Sequence, residues 1–330
     1  MKHAKRIAAI TLGAVFGVAT AAWASPVTFH FATFIPPNEP GTEVGLWIEK
    51  ELNETSGGKV KAQYFHSGQM GDAIEIAKKA SMGTLQAAFS PSTNTPDLDP
   101  KYGIATLAYL MDSYEKWEAF RQDDALRDEL FLSPRGKGLR CLDFCYFGLY
   151  GLATTKPVRT LQDLRAMKMR TTQNRYPLAF WKAFGVNPVT MAWGDVIPAL
   201  RQGVIDGTDQ TRNVVRLRLA DVTKNFTATD HMVGLFFFMV NERWWNGLDP
   251  EVRDLIAGVV ERNFAKARQQ SMELTQTAIP ELEKQGVTII RLPADEMERF
   301  KATQREVWNQ FEPEIGKDFL AKVKAFAEKH

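Results

Sequence analysis

The chain has 330 residues, 24% of them charged and 45% hydrophobic, with a formal net charge of +2. No block of Lys or Arg stands out, which argues against nucleic acid as a partner. The length exceeds what one hydrophobic core usually serves, so two lobes are expected.

Residues 1–24 read as an export signal. Lys2, Lys5 and Arg6 precede the uncharged run Ile7 to Ala21, and Ala22-Trp23-Ala24 is a small-x-small cleavage site. A membrane anchor is the alternative, but the run falls short of the ~20 residues of a spanning helix. Removing the segment leaves 38 basic against 39 acidic side chains, so the mature chain is near neutral. No later apolar run approaches spanning length. The mature protein is expected to be soluble, monomeric and periplasmic.

Val27 to Phe34 alternates as a strand until Ile35-Pro-Pro-Asn-Glu-Pro40 breaks it. Apolar spacing predicts a helix over Glu43 to Leu52, ending before Gly57-Gly58, then a strand from Lys59 to Phe65. A helix over Ala73 to Ala80 and a strand over Leu85 to Phe89 complete a βαβ lobe. Asn94, Asp97 and Asp99 lack the spacing and glycine of a calcium loop and read as a solvated turn. Strands are expected at Leu139 to Leu152, Lys168 to Thr171, Asn187 to Met191 and Leu235 to Asn241. Helices are expected at Leu178 to Phe184 and Asp195 to Gln202. Two such lobes, crossed more than once by the chain, create a cleft at the carboxyl ends of their strands. The expected division is 25–147 with 235–274 as lobe I and 148–234 with 275–330 as lobe II.

Asp249-Pro250 is a helix start, and helical spacing then persists to Lys284-Gln285-Gly286. Such a helix, ~50 Å long at 1.5 Å per residue and interrupted by Pro280, is long enough to brace both lobes. Cys141 and Cys145 lie in an alternating segment. On a strand they stand ~13 Å apart, beyond disulfide reach, whereas on a helix a bridge is sterically conceivable.

Enzyme signals are thin. His30, His66 and His231 are scattered, and there is no His-Glu-x-x-His, Gly-x-Ser-x-Gly, Walker A or Gly-x-Gly-x-x-Gly motif. No metal or cofactor is implied. Residues 144–245 instead mix aromatics with a few cations and amides: Tyr146, Phe147, Tyr150, Arg170, Trp193, Gln210, the Phe236 to Phe238 run, Trp244 and Trp245. Apolar walls with a few placed polar groups suit small organic anions, and an Arg fork grips a carboxylate through two parallel bonds. Core packing is the alternative for these aromatics, and for at least two of the three phenylalanines it is the better one.

Three ordered motifs resemble the solute receptors of tripartite ATP-independent periplasmic (TRAP) transporters, dicarboxylate receptors included. They are Thr160-Leu-Gln-Asp-Leu-Arg-Ala-Met-Lys-Met-Arg170, Phe184-Gly-Val-Asn-Pro-Val-Thr-Met-Ala-Trp-Gly-Asp195 and Ala199-Leu-Arg-Gln-Gly-Val-Ile-Asp-Gly207. The resemblance covers essentially the whole mature chain. It implies a two-lobed α/β periplasmic binding protein fold, a long helix bridging the lobes, and delivery of the ligand to small and large membrane subunits. By resemblance Arg170 pairs with the substrate carboxylate, Trp193 lies beside the ligand and Gln210 supplies a polar group. Gln210 stands where the family often has Asn, and Tyr150 where sialic acid binders carry a second Arg, so sialic acid is disfavoured.

The expected ligand is a small organic acid, either a monocarboxylate with an apolar or aromatic body or a short dicarboxylate. Tyr150 joins Gln210 as a donor, and Phe34 or Phe237 joins Trp193 on the carbon skeleton. Lys156 and Arg175 are weighed as partners of a second acidic group and read as exposed. The rival readings are a receptor for an ATP-driven importer or a sensor, and an exported enzyme of the cleft.

Overall fold

The computed structural model describes residues 25–39 and 41–330, so the expected export segment lies outside the described residues. Strand β1 (Val27–Ala32) runs parallel to β2 (Val60–Phe65) and β3 (Ala87–Pro91). The crossover helix Val44–Thr55 buries Val44, Ile48 and Leu52 at helical spacing. Beyond it Gly57 and Gly58 turn the chain through left-handed φ angles of 60° and 80°. In β2, Val60, Ala62 and Tyr64 are buried while Lys61 and Gln63 are exposed, as alternation requires. The helix Ala73–Ser81 opens on a capping box. The Asp72 side chain accepts from Ile74 N and Glu75 N, both at 2.9 Å, and Glu75 accepts from Asp72 N at 3.1 Å.

Short helices between 95 and 137 lead to β4 (Leu139–Thr154). Then come β5 (Met169–Thr171), β6 (Val189–Thr190), β7 (Gly207–Thr211), β8 (Asn225–Thr227), β9 (Val233–Asn241) and β10 (Thr288–Ile290). The order across the sheet is β2-β1-β3-β9-β4-β7-β5-β6, and β8 joins β4 to β10. The first part of β4, Leu139 to Leu149, pairs antiparallel with β9, whereas Tyr150 to Thr154 pair with β7 and Leu152 to Thr154 with β8. One strand therefore belongs to both lobes of this α/β fold. The change of partner follows an irregularity in register between Tyr146 and Gly148, where Gly148 has φ 132°. A Cβ on Gly148 would lie 2.8 Å from Thr211 Cβ.

The helix Pro250–Lys284 is the second tie. Its 35 residues span the predicted range, and Asp249 caps it by accepting from Glu251 N at 2.9 Å. Val252, Ile256, Val259, Val260 and Phe264 pack with Phe29, Phe31 and Phe238 of the first lobe, while Leu282 packs with Phe226 and Val287 of the second. At mid-length Arg268, 3% exposed, reaches into β4. Its Nη1 donates to both Asp143 carboxylate oxygens at 2.9 Å and to Phe144 O at 2.8 Å. No helix among the described residues is long and apolar enough to cross a membrane.

Several elements differ from the sequence reading. The expected helix over Leu178 to Phe184 begins earlier, at Arg175, because Asn174 caps it and Pro177 falls in the tolerant first turn. Strand β7, Gly-Thr-Asp-Gln-Thr, carries no apolar pattern and exists because β4 and β5 pair with it from either side. The C-terminal end of the 275–330 segment packs in a cluster with residues from both expected lobes. The helix Lys317–Lys329 buries Phe319, Leu320 and Val323 in the cluster of Tyr102, Trp117 and Phe120, with β3, β4 and β9 of the first lobe. Cys141 and Cys145 are buried free thiols on β4.

Removing one partner of a buried ion pair strands the other, at a cost of about 3–5 kcal/mol. Arg268→Ala is expected to lower unfolding free energy by that amount in a urea titration. Gly148→Ala, which must hold a left-handed φ against Thr211, is expected to cost about 1–3 kcal/mol in the same measurement.

Candidate ligand-binding site

The parallel strands of the two lobes present their carboxyl ends to one cavity of about 590 Å³. Phe34 follows β1, Pro91 ends β3, Thr172 follows β5, and Met191 and Trp193 follow β6. Tyr150 of β4, Asp209 and Gln210 of β7 and Phe236 of β9 close the wall. Both lobes therefore contribute side chains to one enclosure.

Arg170 sits in β5 with Val189 of β6 on one side and Thr208 of β7 on the other. Only 6% of it is exposed, whereas Lys168, just before the strand, is exposed. Arg170 Nε and Nη2 both donate to Met191 O, at 3.2 and 2.9 Å, and among the described residues it has no carboxylate partner. Burial lowers its pKa, opposed by the nearby Asp209 and Tyr150. The guanidinium carbon lies 5.9 Å from the Trp193 ring, a cation–π distance. The fork is thus braced from behind and beside, with its remaining donors available to a ligand.

Three further predicted residues share this cavity. Gln210 accepts from Thr211 N at 2.8 Å through Oε1, which leaves its NH₂ group as the free end. The Tyr150 hydroxyl has no hydrogen-bond partner among the described residues; burial raises its pKa and Asp209 adds to the effect. Phe34 lines the opposite wall.

Phe237 does not reach the cavity, and its expected role is corrected. It is fully buried, edge-on to Tyr102 at 4.8 Å and to Phe144 at 5.8 Å. Alternation turns Phe236 the other way, to the cavity wall, where its ring lies 4.6 Å from Phe147. The other cations are committed elsewhere: Arg175 to Glu314 on the surface, and Lys156 beside Asp206 at 3.9 Å.

Two acidic residues of the wall escaped the sequence reading. Asp209 lies 3.9 Å from His231 Nε2, and His231 stacks on Phe180 at 4.8 Å. Glu39 sits in the Pro-rich segment that had read only as a strand breaker, and is 2% exposed. Burial raises its pKa, while Arg218 and the Trp193 indole pull it down.

Residues 31–314 match the family described as DctP, bacterial extracellular solute-binding protein, family 7. The chain belongs to this family. It is a solute receptor of the TRAP type, as its motifs suggested, and not an enzyme. Among named family 7 relatives, the C4-dicarboxylate-binding periplasmic protein DctP of Vibrio cholerae is 24% identical over 304 residues, 92% of this chain and 91% of the relative. The 2,3-diketo-L-gulonate-binding periplasmic protein YiaO of Escherichia coli is 26% identical over 242 residues, 72% and 73% of the two chains. Among solved structures, the sugar acid binding protein DctPAm of Advenella mimigardefordensis, in complex with galactonate, superposes with a TM-score of 0.85. It is 21% identical and the match covers 92% of this chain and 99% of the other. A TRAP solute binding protein of Shewanella oneidensis with bound succinate gives the same TM-score and coverage at 19% identity. These likenesses establish the fold as the two-lobed periplasmic binding protein fold.

Among the described residues, Trp193 is the tryptophan of this wall. A ligand that fills the cavity is expected to change intrinsic fluorescence, and Trp193→Phe is expected to remove most of that change while leaving the melting temperature nearly unaltered.

Proposed function

We propose that this chain is a periplasmic receptor that captures a small organic acid through Arg170 and delivers it to the small and large membrane subunits of a TRAP permease. The observation that carries this reading is the buried guanidinium, bonded only to a backbone carbonyl among the described residues, in the wall of an aromatic-rich cavity. A charge taken from water needs a partner, and a carboxylate supplies two parallel hydrogen bonds to the fork. Each such bond contributes roughly 1.5–3 kcal/mol net. Gln210 and Tyr150 donate further bonds, and Trp193, Phe34 and Phe236 pack on the carbon skeleton.

The named ligands of the relatives and neighbours, a C4-dicarboxylate, 2,3-diketo-L-gulonate, galactonate and succinate, support a carboxylate at this position. The cationic start and apolar run of residues 1–24 support export to the periplasm. In this reading the lobes divide at 147/148 and 234/235 and again along the long helix near 274/275. The terminal helix returns to lobe I, and the lobes close on the bound acid.

Isothermal titration with an acid found by thermal-shift screening tests the role of Arg170. Arg170→Ala is expected to weaken binding by ~100-fold, corresponding to roughly 3 kcal/mol, and Arg170→Lys to give a smaller loss because an ammonium lacks the planar fork. Near wild-type affinity in Arg170→Ala would overturn the proposal.

A further inference from the structure

The wall of the cavity is unbalanced in charge. Arg170 is the one Lys or Arg side chain among the described residues that line it, against three carboxyl groups, Glu39, Asp72 and Asp209. Two of these have evident work. Asp72 caps the helix Ala73–Ser81 with two backbone bonds, and Asp209 faces His231. Glu39 differs. Its Oε1 is enclosed and makes no hydrogen bond among the described residues; its salt-bridge partner Arg218 stands off at 3.6 Å, on a side chain 36% exposed, and the Trp193 indole acts on the same carboxyl.

The position of Glu39 is built, not incidental. Glu39 N donates to Pro36 O at 3.2 Å, and the Thr42 hydroxyl sits within bonding distance of both Pro36 O, at 2.8 Å, and Glu39 O, at 2.7 Å. Thr42 is fully buried and its own carbonyl accepts from the Tyr64 hydroxyl at 3.0 Å. The turn is therefore held to the β2 core, and the carboxyl is presented from lobe I toward the lobe that carries Arg170. An enclosed carboxyl oxygen that Arg218 reaches only at 3.6 Å keeps acceptor capacity for a closer donor.

Resting on the reading of Arg170 as the carboxylate anchor, we infer that Glu39 is a second anchor, accepting a hydrogen bond from a hydroxyl or ammonium group of the ligand. The ligand class is then a monocarboxylate bearing a hydrogen-bond donor. A dicarboxylate is disfavoured, since the one guanidinium of the wall pairs one carboxylate and the second would meet Glu39 and Asp209, with the nearby Arg218 already paired to Glu39.

The test is isothermal titration of matched acids: 3-methylbutanoate, 3-phenylpropanoate and hexanoate, each with its 2- and 3-hydroxy and 2- and 3-amino counterparts, together with succinate and glutarate. In the wild type at least one donor-bearing acid is expected to bind tenfold or more tighter than its parent and than either diacid. Glu39→Ala is expected to abolish that preference, and an unchanged melting temperature reports that the variant is folded. Glu39→Gln, which keeps a neutral acceptor, retains the preference for a hydroxy acid and loses it for an amino acid. A preference unchanged in Glu39→Ala, parent acids binding as tightly as their donor-bearing counterparts, or diacids binding best would each overturn the role of Glu39 and leave that of Arg170 standing. Failure of every acid to bind, or undiminished binding by Arg170→Ala, would overturn the carboxylate reading itself.

Discussion

A buried guanidinium that, among the described residues, bonds to no carboxylate is the constraint on which the proposed site is organised. Arg170 is buried in a three-residue strand, and its environment does little to neutralise it: one backbone carbonyl, one indole face, and a hydroxyl and a carboxyl nearby. The contrast within the same molecule is Arg268, equally buried but bound to both oxygens of Asp143 and to Phe144 O. Arg268 is a finished interaction that joins a helix to a strand. In the proposed reading Arg170 is an unfinished one, which a ligand carboxylate completes.

Holding such a site open between two lobes requires a scaffold that stays continuous across them. Strand β4 provides part of it by changing partners along its length, from β9 to β7 and β8, beyond the irregularity at Gly148. The helix Pro250–Lys284 provides the rest, packing its first half on the Phe29 and Phe238 cluster and Leu282 on the Phe226 cluster. Because both ties run alongside the cleft, its walls are ends of strands and short turns. Those are the places where side chains such as Phe34, Thr172 and Trp193 are free to face a ligand while their strands stay packed.

Much of this was legible from residue order. The 35-residue helix follows from Asp249-Pro250 and sustained helical spacing, and β2 from strict alternation, because these elements bury one face regardless of what they bury it against. Arg170, Trp193, Gln210 and Tyr150 were legible through motifs and residue chemistry, and the cavity brings all four together with Phe34. The choice between Phe236 and Phe237 was not. Both faces of β9 are buried, one against Phe147 and the other against Tyr102, so hydrophobicity alone cannot say which face looks into the cleft. Strand β7 was invisible for the opposite reason: its polar sequence is buried by pairing and by the cavity, neither of which leaves a periodic mark.

By itself the sequence determined the fold class and the long brace, since these rest on local periodicity and capping. Only the tertiary structure decided that Phe236 faces the cleft and that the last helix packs with Tyr102, Trp117 and Phe120. It also decided that Glu39, placed like an ordinary turn residue, is an enclosed carboxyl of the same cavity as Arg170. Such properties depend on which distant segments meet, and meeting is a matter of packing between elements that no local pattern records.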